Sequence, residues 1–244
     1  MQSSPTQTFT RTFRRGPVSA LVLLLLFVCP QAAPAAPLAA YSVGHSISVS
    51  KNPRGLAITR DGRYAYVAGF GADNLAVIDL KKRENVLDAP SGDGPVALVV
   101  ASDNSFLAVA NFFSNDVWFL APQTDTVESK IEVGEGPGAL ALSRKDDKLY
   151  VANVTGRSVS VIDTSKRAAI ATFPLHDNPQ GIAVSPDGER LFVSVRERGA
   201  ILALNPSTGE IVGTITVGGF PRGLALSPDG SLLFTVDYQG NKVL

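Results

Sequence analysis

The stretch Pro179-Gln180-Gly181-Ile182-Ala183-Val184-Ser185-Pro186-Asp187-Gly188-Glu189-Arg190-Leu191-Phe192-Val193 decides the fold because it recurs. Related phrases open at Pro53, Pro95, Pro137 and Pro221, and each proline lies 42 residues from the next, with no insertion or deletion. A period of that size is one four-stranded propeller blade. The repeat therefore predicts an all-β chain of about five blades, with repeat starts at 53, 95, 137, 179 and 221.

Each copy divides into four strands. Strand A is the apolar run after the proline, as in Leu98-Val99-Val100 and Ile182-Ala183-Val184. Apolar side chains on both faces predict burial on both sides, which suits the innermost strand of a blade. A tight turn follows, at Asp61-Gly62, Asp187-Gly188 and Asp229-Gly230, with Asp103-Asn104 and Asp146-Asp147 in the less regular copies. Asp and Gly tolerate the positive φ of such a turn. Strand B is Tyr66-Val67-Ala68 and its counterparts. Strand C alternates apolar and polar residues, as in Leu75, Val77 and Asp79. Strand D runs from Thr126 to Val133 in one copy and from Glu210 to Val217 in another. Before the first proline, Ser46-Ile47-Ser48-Val49 alternates too. Ile47 and Val49 hold the repeat positions of Ile131 and Val133, so residues 41–50 are expected to be the last strand of a blade.

Residues 1–35 read as a secretory signal. Arg11, Arg14 and Arg15 form a basic start with no acid nearby, Val18 to Val28 are apolar for 11 positions, and Ala33-Pro34-Ala35 offers small residues for cleavage. An apolar run of that length is too short to span a bilayer. Residues 36–40 form an Ala/Pro linker, and the repeats occupy 41–244. The expected location is exported, periplasmic or extracellular, with no membrane span once the signal is removed. Cys29, the only cysteine, lies within the signal, so the mature chain would carry neither disulfide nor thiol site. Without its signal the chain has 19 basic and 22 acidic residues, since the signal's only charges are three arginines. That mildly acidic balance argues against a nucleic-acid partner.

Tyr150-Val151-Ala152-Asn153, Val161-Ile162-Asp163 and Ser185-Pro186-Asp187-Gly188 resemble the YVTN β-propeller repeat family, the YncE-like secreted relatives of WD40 blades. The resemblance covers residues 41–244 and rests on turn and core residues. It implies a ring that usually closes with seven blades, which would need about two more repeats than the five here. The array is therefore expected to be incomplete or gapped. The competing arrangement has residues 41–50 closing a five-bladed ring as the fourth strand of the blade that begins at Pro221.

In a propeller the D–A links and B–C turns share one rim, and function concentrates in such loops. That loop rim gathers Arg54, Asn111, Phe112, Asn153, His176, Asp177, Arg222 and Asp237, and these are the candidate ligand-binding residues. Arg54 and Arg222 share one repeat position and offer guanidinium forks to an anion. Asn111, Asn153 and Asp237 share another, at the end of strand B, where a short polar side chain is expected to cap local backbone. Asn153-Val154-Thr155 also fits a glycosylation sequon. His176-Asp177 is too small a cluster for a zinc site, so no metal, cofactor or catalytic set is expected. Two functions fit: an exported binding module for a protein, a glycan or a small anionic ligand, and an enzyme-related propeller. The second follows from the resemblance, which includes lactonase-like hydrolases and accessories of quinone-dependent dehydrogenases. It would require Glu135, His176, Asp177 and Asp237 to converge.

Overall fold

The computed structural model describes residues 44–122 and 124–244, and the expected signal (1–35) and linker (36–40) lie outside them. Every regular element is a β-strand. Blade one comprises β1 (Pro53–Ile58), β2 (Tyr64–Gly69), β3 (Asn74–Asp79) and β4 (Glu84–Pro90). Blade two comprises β5 (Pro95–Val100), β6 (Leu107–Asn111), β7 (Asp116–Ala121) and β8 (Thr126–Glu132). Blade three comprises β9 (Pro137–Leu142), β10 (Lys148–Asn153), β11 (Ser158–Asp163) and β12 (Ala168–Pro174). Blade four comprises β13 (Pro179–Val184), β14 (Leu191–Val195), β15 (Ala200–Leu204) and β16 (Ile211–Thr216). The fifth sheet has three strands, β17 (Pro221–Leu226), β18 (Leu233–Asp237) and β19 (Lys242–Val243). Each sheet is an antiparallel meander in chain order, so the chain is a five-bladed β-propeller array.

The five repeat prolines are the first residues of the five A strands. Proline has no N–H to offer a ladder, so a strand's first residue is a place that tolerates it. In all five blades the pairing of strands A and B slips just after this proline. The turns repeat as regularly. The A–B hairpin places a residue at positive φ at Gly62, Asn104, Asp146, Gly188 and Gly230. In the third copy Asp146 itself occupies the glycine's place, with Lys145 where the other copies have Asp. The B–C turn does the same at Asp73, Asn115, Arg157, Gly199 and Asn241. An evenly phased left-handed residue at each reversal lets five different sequences make the same turns.

The core lies between blades. Strands alternate their side chains, so each B strand serves two seams. Tyr66 and Ala68 face blade two, where they meet Leu107, Val109 and Leu120. Phe106 and Ala108 face blade three and meet Leu149, Val151 and Ile162. Tyr150 and Ala152 face blade four and meet Leu191, Val193 and Val195. Strands B and C are accordingly the most deeply buried, whereas the A strands are only half-buried. This corrects the reading of the apolar A runs as buried on both faces. The innermost strand is the free edge of its sheet, and it turns that edge to the channel.

The A strands pack side by side, β1 on β5, β5 on β9, β9 on β13 and β13 on β17, and no comparable contact joins β17 back to β1. Residues 44–50 form no strand, which corrects the expectation that they would, and they pair with nothing in the fifth sheet. Their apolar phasing is nevertheless used. Ile47 and Val49 pack on Val67 and Ile78 as Ile131 and Val133 pack on Val151 and Ile162. The position of Ala89, Ile131 and Phe173 is buried in each case, because the next blade's outer strands cover it. At Ile215 it is 46% exposed, since the fifth sheet has only a two-residue third strand and no fourth.

Two glycines at one repeat position give a matched test of blade packing. A Cβ at Gly181 would run into the Arg222 carbonyl and the Gly223 Cα of the adjoining A strand, whereas a Cβ at Gly223 would meet only the Val236 side chain, at an ordinary contact distance of 3.9 Å. Gly181→Ala is expected to lose about 2 kcal/mol to overpacking against backbone that cannot rotate away. Gly223→Ala should be neutral or slightly stabilising, because alanine loses less backbone freedom on folding. Urea unfolding of the two variants checks the difference.

Candidate functional site

At the loop rim, two repeat positions face one another. The residues after the prolines are Arg54, Val96, Gly138, Gln180 and Arg222; those after strand B are Phe70, Phe112, Val154, Arg196 and Tyr238. Arg54 lies over the Phe70 ring at 4.6 Å and Arg222 over the Tyr238 ring at 4.5 Å, so the first and fifth blades repeat one cation–π pair. Both guanidiniums are thus seated on rings and still exposed at their edges. Phe113 extends the aromatic surface. It lies 5.2 Å from Phe70 and packs edge-on against Phe112 at 5.4 Å, yet is 62% exposed. Gly94 lies so close beneath Phe113 that a Cβ there would strike the ring.

The two candidate carboxylates bolt this rim together. Asp177 is 1% exposed and accepts hydrogen bonds from the backbone N–H of Asn178 (2.8 Å), Glu197 (3.1 Å) and Arg198 (3.2 Å), with the Arg198 Nε at 3.4 Å. Asp237 accepts from Phe220, Gln239 and Gly240 N–H, with Lys242 at 3.7 Å. Those backbone donors, the Gly240 N–H foremost, hold its carboxyl below the usual carboxylate range. Asp73 and Asn115 do the same service in earlier blades by accepting the N–H of Gly94 and Gly136.

Asp237 is therefore the backbone cap expected at the end of strand B, and the two asparagines are not. Asn111 donates to the Asp116 carboxylate at 2.9 Å, and Asn153 to the hydroxyls of Ser158 and Ser160 at 3.0 and 2.9 Å. Each spans the B–C hairpin side chain to side chain. Asn153 is fully buried, so the sequon is closed to glycosylation in the folded chain.

His176 is exposed at positive φ, and Glu135 is exposed on another link. Asp177 and Asp237 are taken up by backbone donors, while Glu135 and His176 face solvent. Among the described residues no group of three His, Cys, Asp or Glu is placed to hold a metal.

Two concavities open elsewhere. One of about 420 Å³ lies at the hairpin rim beneath Arg60 and Arg144, and one of about 430 Å³ lies between the hairpins and outer turns of blades two and three. On the loop rim a smaller hollow, of about 310 Å³, lies beside Asp237 and Tyr238. The signal for the first was a repeat position that reads Arg60, Ser102, Arg144, Pro186 and Pro228 along the chain. Its basic members alternate with small ones, which is why no single stretch stood out.

No match was found among the curated proteins. Among solved structures, the Kuenenia stuttgartiensis hydrazine synthase superposes with a TM-score of 0.72 at 22% identity. The match covers 80% of this chain and 58% of that one, a likeness of fold. The profile of the YncE-like β-propeller family matches residues 45–229, most of the described chain, and the protein belongs to that family.

Proposed function

We propose that the protein is an exported binding module whose loop rim takes a protein or glycan partner against Phe70, Phe112 and Phe113. The observation that carries this reading is Phe113, a large aromatic side chain held mostly in water by two other rings. Aromatic anchors supply much contact area at small entropic cost, and they dominate binding surfaces for that reason. Asp73, Asn115, Asp177 and Asp237 hold the loops by accepting backbone N–H groups, which gives those rings a rigid base. Export follows from the basic and apolar signal of residues 1–35. Among the described residues no helix is long and apolar enough to cross a membrane.

Phe113→Ala tests this directly, because the ring is exposed and its loss leaves the seams intact. On immobilised glycans and on proteins of the exported fraction, the wild type should be retained and the variant weakened about tenfold or more, equivalent to about 1.4 kcal/mol. Equal retention of both proteins would remove the aromatic rim as the binding surface.

A further inference from the structure

The position that reads Arg60, Ser102 and Arg144 in blades one to three is brought by the arc to the edge of a single depression at the hairpin end of the channel. Part of its wall is apolar, from Ile58, Val99, Val100 and Leu142, and its volume of about 420 Å³ lies within the range of small-molecule sites. The mouth is held rigid by bonds from blade to blade. Asn104 accepts the N–H of Arg60 at 2.6 Å and Asp146 accepts the N–H of Ser102 at 2.6 Å, each reaching back to the preceding hairpin. Asp146 is the only carboxylate in the lining, and that bond engages it. The two arginines have no carboxylate partner among the described residues. Arg144 gives one Nη1 hydrogen to the Pro186 carbonyl at 3.3 Å, so most of its five donors, and all of those of Arg60, remain available.

We propose that this depression binds a small organic carboxylate with an apolar body. The two guanidiniums take the carboxylate in charge-assisted bonds, and the body lies on Ile58, Val99, Val100 and Leu142. The hydrophobic wall discriminates against bare inorganic anions, and the arginines discriminate against neutral apolar molecules. The site is on the rim opposite Phe113 and does not depend on that surface, so either reading can fail while the other stands.

Calorimetric titration of the full chain with sodium hexanoate tests the proposal, with acetate, inorganic phosphate and 1-hexanol titrated at the same ionic strength. Hexanoate is expected to bind saturably and at least tenfold more tightly than the other three. Arg60→Gln and Arg144→Gln should each weaken hexanoate about tenfold, and the pair should abolish it. Both side chains are exposed, so thermal unfolding should be unchanged, which separates lost binding from lost fold. Phe113→Ala should bind hexanoate like the wild type. The proposal is overturned if hexanoate shows no saturable heat, if the arginine variants bind it as well as the wild type does, or if acetate or phosphate binds as tightly.

Discussion

Truncation of Tyr66 to alanine is expected to lower the unfolding free energy by about 4 kcal/mol, the range for an aromatic side chain removed from a packed core. The ring is fully buried in the seam between blades one and two. Its hydroxyl donates to the Pro122 carbonyl and, at 2.9 Å, to the Asp125 carboxylate, both in the C–D turn of the next blade. Tyr150, in blade three, makes the corresponding bond to the Pro206 carbonyl of blade four, at 3.2 Å. Tyr66→Phe isolates the hydroxyl and should cost about 1–2 kcal/mol, because it leaves partly buried acceptors unpaired.

The same hydroxyl gives the protein an alkaline limit. Burial, with Asp125 adding its negative charge, pushes the Tyr66 phenol far above its ordinary 10.0, and burial raises Tyr150 as well. The folded state keeps both protons where the unfolded chain releases them. Stability is therefore complete below about pH 10 and is lost as pH rises beyond it. Urea unfolding at pH 8 and pH 10.5 should show that loss in the wild type and a smaller one in Tyr66→Phe. An identical loss in both would assign the alkaline sensitivity to other groups.

Asp177→Ala is the second large effect, with an expected loss of about 3 kcal/mol, because burying unsatisfied donors costs about 1–3 kcal/mol in such sites. Three backbone N–H groups in two separate loops lose their shared acceptor. Asp177→Asn keeps one acceptor oxygen and should recover part of the loss. Both variants should bind hexanoate normally, since the carboxylate lies on the opposite rim. If Asp177→Ala were as stable as the wild type, the carboxylate would be free for another role, and the reading of the loop rim as a bolted scaffold would fall.

The proline spacing was enough to phase the five A strands, although each begins at the proline itself, three residues before the apolar run that marked it, and the Asp-Gly hairpins were legible because their backbone demand is local. Two kinds of feature were not. Residues 44–50 carry a strand's alternation and are seated by Ile47 and Val49 like one, but alternation reports which side chains are buried and not whether a neighbouring edge is in reach of hydrogen bonds. The loop-rim residues were grouped by phase, and Asp177, Asn111 and Asn153 hold loops and turns. A polar residue beside a turn has the same signature whether its bonds go inward or to a ligand. Arg60 and Arg144 failed to register for the opposite reason. They are 84 positions apart, and their meeting depends on the curvature of the arc.

That the apolar interior is divided among separate seams, with each sheet insulating one from the next, means that damage stays where it is done. Lesions in different seams should add as strangers, and those within one seam should interfere. A lineage of such chains could rebuild its interior one partition at a time, keeping the outline of the whole while almost no side chain inside it stays the same.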